Sequence, residues 1–171
     1  VVLAYVNRGQ YLRRQKQNDR AFADFNTAIE LNSTYHLSYL NRGNIYFDRG
    51  DNEKALADYS KVIDLLGPID PKNTKKRIEP AAAGALSNRG AILSRIGKRE
   101  EALADFALAL QINPNDPNTS TNRTINYFDL ADYAKAIDDF THFLSLEANE
   151  VGSYNARGVS YMRLGKWEES L

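Results

Sequence analysis

Cysteine is absent from the 171 residues. That excludes disulfides, thiolate metal sites and cysteine nucleophiles, and it suits a reducing compartment without excluding an oxidising one. Histidine is scarce: His36 and His142 stand far apart, with no cysteine to join either. Excess charge of one sign is also missing, since Lys plus Arg number 22 and Asp plus Glu number 22. A general nucleic-acid binder needs surplus cations to displace counterions from phosphates, so that class is not expected. No apolar run approaches the roughly 18 residues of a membrane span. No basic-then-apolar leader opens the chain. Val1 stands where a Met would begin a gene product, and Leu171 falls inside a predicted helix, so the sequence reads as a fragment or a processed product. Gly-rich phosphate loops, metal-spaced clusters and nucleophile elbows are lacking. No catalytic residue, metal or cofactor is therefore predicted.

What the chain does have is internal repetition, the signal to test first. Arg8-Gly9 recurs as Arg42-Gly43, Arg89-Gly90 and Arg157-Gly158, while Arg123-Thr124 keeps the Arg alone. From Gly9 the steps are 34, 47, 34 and 34 residues. Ala21, Ala55, Ala102 and Ala136 keep the same steps, as do Phe25, Tyr59, Phe106 and Phe140. The odd step is one period plus 13 inserted residues. Small residues at the Gly9 and Ala21 phases predict two helices crossing closely. Gly50-Asp51-Asn52, Gly97-Lys98 and Gly165-Lys166 are turn signals between helices, and Asp116-Pro117 is a cap followed by proline at the first helical position. Leu31, Leu65, Ile112 and Leu146 close each second helix with an apolar side chain.

These positions resemble the tetratricopeptide repeat family, whose pattern runs aromatic, small, aromatic or Leu, then Ala, aromatic and a late Pro. Tyr5, Gly9, Leu12, Ala21, Phe25 and Ala28 carry it in the first copy, and Leu86, Gly90, Leu93, Ala102, Phe106, Ala109 and Pro114 in the third. Tyr39, Gly43, Tyr46, Ala55 and Tyr59 carry it in the second, Tyr127, Ala136 and Phe140 in the fourth, and Tyr154, Gly158 and Tyr161 in the fifth. Ser120 and Thr124 depart from it. The resemblance implies an all-α superhelix, a solenoid of about four and a half helix-turn-helix repeats stacked into a continuous core. The repeats are expected at about 2–35, 36–69, 83–116, 117–150 and 151–171, the last cut short, with an insertion at about 67–80. Lys72, Lys75, Lys76 and Arg77 form a small basic cluster there, either a solvated connector or a docking loop for an acidic partner.

A helix turns about 100° per residue, so the Tyr5, Gly9 and Leu12 phases cluster on one packing face. The opposite face is the expected groove: Leu3, Asn7, Gln10 and Arg14, then Leu37, Asn41, Asn44 and Asp48, then Gly84, Asn88, Ala91 and Arg95. Asn118, Asn122, Ile125 and Asp129 continue it, followed by Gly152, Ala156, Val159 and Arg163. Asn7, Asn41, Asn88 and Asn122 share one phase. A primary amide both donates and accepts, so such a row can hold the backbone of an extended peptide. It resembles the asparagine row of the O-GlcNAc transferase repeat domain, which implies peptide binding. The other reading is that each Asn bonds inside the array, bridging neighbouring helices. Four net hydrogen bonds supply about 2–6 kcal/mol before association costs, short of the roughly 8 kcal/mol of micromolar binding. Phe47, Phe128 and Met162 are the groove residues that would add affinity, or else they pack.

A relative of the family grips C-terminal carboxylates with groove cations. The matching positions here hold Val6, Gly84 and Asn88, then Leu40, Asn118 and Asn122, so that clamp is not expected. Arg14, Asp48, Arg95, Asp129 and Arg163 alternate in sign at one phase, as a ladder of ion pairs or as a surface reading a charged ligand. Arg8, Arg42, Arg89 and Arg123 recur with Asp24, Asp58, Asp105 and Asp139, which predicts structural pairing within or between copies. The expected function is a non-catalytic scaffold that binds a partner protein or peptide in its groove. The alternatives are a regulatory region of a larger enzyme and a module that self-associates through its terminal repeats. Nothing in the sequence assigns a compartment.

Overall fold

Apolar residues spaced four and three apart give each second helix one buried stripe. Ala21, Phe25 and Ala28 are fully buried in the first such helix, Ala55, Tyr59 and Val62 in the next, and Ala102 and Phe106 in the third. The computed structural model describes residues 1–67, 79–146, 151–166 and 168. Among these the helices are α1 (Val2–Arg14), α2 (Asn18–Leu31), α3 (His36–Asp48), α4 (Asn52–Leu66), α5 (Pro80–Arg95), α6 (Arg99–Ile112), α7 (Pro117–Asp129), α8 (Tyr133–Leu146) and α9 (Val151–Arg163), with no strand among the described residues. Each odd-numbered helix packs on the even one that follows it, and each pair packs on the next. The odd helices α1, α3, α5 and α7 also touch one another in turn, so they line the inner side of an all-α superhelix.

The close crossing within a pair rests on a ring lying over a glycine. A Cβ built on Gly9 would stand 2.6 Å from Cε1 of Phe25. The same atom on Gly90 would stand 2.7 Å from Cε1 of Phe106, and on Gly43 it would stand 3.0 Å from Cε1 of Tyr59. Thr124 breaks the pattern in α7. It is 2% exposed, and its hydroxyl donates to the Ser120 carbonyl at 2.8 Å.

Every described turn between the helices of a pair uses one residue with positive φ: Lys16 at 59°, Gly50 at 76°, Gly97 at 85°, Ala131 at 60° and Gly165 at 74°. The residue after each closes the helix by donating to a carbonyl five residues back, as Gln17 N–H does to Leu12 at 2.9 Å and Asp132 N–H to Tyr127 at 2.9 Å. Asp51 caps α4 by accepting from the Lys54 N–H, and Asp116 caps α7 by accepting from the Thr119 N–H at 2.8 Å. Gly67, at φ 75°, ends α4. The basic cluster of the insertion lies outside the described residues.

The recurring Arg and Asp pair inside each copy, sixteen residues apart. Arg8 holds Asp24 with Nε and Nη2 at 2.7 and 2.6 Å, and Arg89 holds Asp105 at 2.7 Å through both. Arg42 with Asp58 and Arg123 with Asp139 repeat the fork. The remaining Nη1 reaches the preceding pair where an acceptor exists: Asn26 Oδ1 for Arg42 at 2.8 Å, Ser60 Oγ for Arg89 at 3.2 Å. Such forks fix the position of α3 and α5 as rigid, two-point contacts. Ile45 and Ile92, fully buried, fill the interface with the preceding pair. At that phase α7 has Asn126, 1% exposed, whose Nδ2 donates to the Asn122 carbonyl and whose Oδ1 is buried without a partner.

The outer part of the expected charge ladder is corrected by the geometry. Asp48 pairs with Arg13 at 3.0 Å and not with Arg14, because one residue rotates the side chain about a third of a turn. Asp129 pairs with Arg99 of α6 at 3.1 Å and not with a groove Arg. Leu31, expected to close α2 against the core, is 52% exposed.

Replacing Gly90 by Val forces a branched side chain into the Phe106 ring. Urea unfolding is expected to show a loss of about 1–3 kcal/mol. Replacing Ala131 by Gly relieves a left-handed alanine, and the melting temperature is expected to rise in line with about 1 kcal/mol of added stability.

Candidate functional site

The candidate groove residues sit on the inner helices in three different environments. Asn7 and Arg14 are exposed on α1, and Gln10 is half-buried beside them. Asn41 is 8% exposed, and its Nδ2 donates back to the Leu37 carbonyl at 2.7 Å. Asn44 and Asn88 meet across the α3–α5 step: Asn88 Nδ2 donates to Asn44 Oδ1 at 2.9 Å, and the Tyr59 hydroxyl donates to the same oxygen at 2.8 Å. Burial pushes the Tyr59 phenol well above the ordinary tyrosine range, so it is a donor at any physiological pH. Arg95 is exposed, and its guanidinium lies 5.1 Å from the centre of the Phe47 ring. Asn122 is half-buried on α7. The asparagine row is thus uneven, with Asn44 and Asn88 forming an internal bridge and Asn7 open to solvent.

Of the extra groove residues, Phe128 packs edge-on against Tyr133 with ring centres 5.4 Å apart. Met162 is 39% exposed.

A cleft of about 580 Å³ opens between α5 and α7, over the end of α6. Ala83, Gly84, Ser87 and Asn88 form its α5 wall, Ala109, Ile112 and Asn113 its α6 floor, and Asp116, Asn118 and Thr119 its α7 wall. Its volume lies within the range of small-ligand sites, about 300–1,000 Å³. The two walls are tied at one end, where the Thr119 and Ser87 hydroxyls are 2.6 Å apart and Thr119 also bonds Asp116 Oδ2. Sequence reasoning placed Gly84, Asn88 and Asn118 on the groove face. It did not find the floor, because Ala109, Ile112 and Asn113 belong to an even helix read only as packing. The Asn44–Asn88 bridge was hidden as well, since its partners are 44 residues apart in different helix pairs.

A second hollow, about 260 Å³, lies beside α8 and is lined in part by Ser120, Arg123 and His142. Ser120 holds the phase of Tyr5 and Tyr39, and Ala107 that of Asn26 and Ser60. Arg123 therefore lacks both the ring that flanks Arg8 and Arg42 and the second acceptor that Arg42 and Arg89 possess. No group of three or more His, Cys, Asp or Glu among the described residues is placed to hold a metal. No described helix is long and apolar enough to cross a membrane.

Comparison with known proteins agrees with this geometry. Models of the tetratricopeptide repeat match residues 2–35, 36–66 and 83–116, which together exceed half of the chain. Human tetratricopeptide repeat protein 13 is 30% identical over 94 residues, covering 55% of this chain and 11% of that protein. Human serine/threonine-protein phosphatase 5 is 28% identical over 101 residues, covering 56% of this chain and 20% of that one. The match thus spans a small part of either relative. Among solved structures, the MamA protein superposes with a TM-score of 0.80 at 18% identity, covering 99% of this chain and 85% of its own. YrrB, a TPR protein with an unusual peptide-binding site, gives 0.81 at 19%, covering 100% and 81%. The chain belongs to the tetratricopeptide repeat family, whose stacked helix pairs form protein–protein interaction modules.

Proposed function

We propose that this chain is a non-catalytic scaffold that holds an extended segment of a partner protein along the inner side of its odd-numbered helices. The observation that carries this reading is the 580 Å³ cleft walled by Asn88 and Asn118 on the face where the asparagines recur. Asn88 is oriented before any ligand arrives, because Asn44 Oδ1, itself held by the Tyr59 hydroxyl, accepts one of its N–H groups. Its carbonyl remains to accept from a peptide backbone. An amide fixed in advance loses less freedom on binding than a free one. Asn122, half-buried one copy further on, would extend the row, and Asn7 with Gln10 would begin it. Arg14 and Arg95 would meet acidic side chains of the ligand at the groove edge. The peptide-binding site of YrrB, a protein of the same fold, is consistent with this use.

A second reading, association of copies through their ends, has one observation in its favour. Tyr11 holds the phase of Ile45 and Ile92, yet it is 62% exposed where they are fully buried. A sedimentation series that shows one monomeric mass at every concentration ends that reading. The match to phosphatase 5 supports a third use, as the regulatory region of a longer enzyme.

Peptides selected from a random library test the groove. Asn88→Ala and Asn122→Ala are each expected to weaken a selected peptide by about tenfold, the worth of one hydrogen bond, with helicity unchanged by circular dichroism. Unchanged affinity in both variants contradicts the asparagine row. Asn44→Ala strips the acceptor from Tyr59 and Asn88 together. Chemical denaturation is expected to show a loss of about 1–3 kcal/mol, with weaker peptide binding alongside.

A further inference from the structure

The four glycines inside α1, α3 and α5 can be compared, and one of them has no close neighbour that requires glycine. Gly9, Gly43 and Gly90 each sit under a ring that would meet an added Cβ at 3.0 Å or less. Gly84, in the second turn of α5, has nothing within 4 Å of the same position. Glycine inside a helix is less favourable than alanine by about 0.8–1 kcal/mol. At the matching phase α1 carries Leu3 and α3 carries Leu37. Removing a leucine-sized side chain from this one place opens the cleft between α5 and α7.

The walls say what the space suits. Ala83, Ala109 and Ile112 give the cleft its apolar lining, and Asn88, Asn113 and Asn118 add amides. Asp116 is the single ionisable group among the described residues that line it, and both its bonds to Thr119 fall on Oδ2, leaving Oδ1 over. A phosphate or carboxylate would enter without a counter-charge. A cation would find one.

We infer that Gly84 makes a specificity pocket, which takes one bulky apolar side chain of an extended peptide and favours a Lys or Arg next to it. This deepens the groove reading given above and rests on it. The amides hold the ligand backbone, whatever its sequence. The pocket adds the selection that a row of amides cannot, because burial of one large apolar side chain is worth about 1.5–3 kcal/mol, comparable to two or three of those hydrogen bonds.

The test uses four end-blocked nonapeptides of Ala and Gly, each with one Lys beside a central Phe, Leu, Ala or Glu. Each is titrated into the whole chain while the backbone amide resonances of Gly84, Asn88 and Asn118 are followed by NMR. The Phe and Leu peptides are expected to shift these resonances with affinities about tenfold above those of the Ala and Glu peptides. Gly84→Leu is expected to abolish that preference and to weaken the Phe peptide about tenfold. Its melting temperature should stay the same or rise, since a helix former replaces glycine in open space. Four peptides of equal affinity that still shift Asn88 and Asn118 would overturn the pocket and leave the groove reading standing. So would a folded Gly84→Leu chain that keeps the Phe preference. If no peptide shifts any of the three resonances, the groove reading falls together with the pocket.

Discussion

A ring laid over a glycine holds this molecule in shape. Phe25 over Gly9, Tyr59 over Gly43 and Phe106 over Gly90 let two helix axes approach at one fixed point in each of the first three pairs. Protein interiors are packed to near-crystalline density, so a contact this close permits one crossing and few others. Because the same crossing recurs with the same period, successive pairs are added by one repeated rotation, and a solenoid follows. The Arg–Asp forks act at the next level. Arg42 and Arg89 hold an Asp of their own pair with two nitrogens and the preceding pair with the third. The ring contact thus sets the pair, and the guanidinium helps set the stack.

The inner surface is a consequence of that stacking. Odd helices touch one another, so their inner faces converge on a trough, and residues of successive copies become neighbours. Asn44 and Asn88 meet in this way. The trough is not uniform. At its first step Leu37 is half-buried where α5 has Gly84 and open space. Further along, Asn126 replaces the isoleucines of the earlier interfaces and leaves a buried carbonyl oxygen unpaired. An unpaired buried polar group costs about 1–3 kcal/mol, so the packing of α7 on the pair before it is the weaker join. Local openings of low energy tend to arise at such places, and binding surfaces draw on them.

Most of the fold could be read from the order of residues. The period, the small-over-aromatic phases and the glycine turns all express local rules that a sequence displays directly. The Arg and Asp phases also announced pairing, because both recur at one fixed offset. What escaped had a non-local or an atypical cause. Lys16 and Ala131 take the left-handed turn without being glycine, so the five-fold regularity of the turns was only three-fifths visible. Arg13, and not Arg14, faces Asp48, a matter of one residue's rotation that phase-counting blurs. The floor of the cleft comes from α6, whereas the groove had been sought on odd helices alone. Gly84 is legible as a groove residue, but its meaning needs the space around it, which no sequence contains.

The most direct check on this account is a nuclear Overhauser spectrum of the aromatic rings. The account requires cross-peaks from the Phe25 ring to the Gly9 α-protons, from Tyr59 to Gly43 and from Phe106 to Gly90, at intensities typical of van der Waals contact. Absence of these cross-peaks in a folded, helical chain would mean that the helices cross elsewhere, and both the stack and its trough would have to be rebuilt.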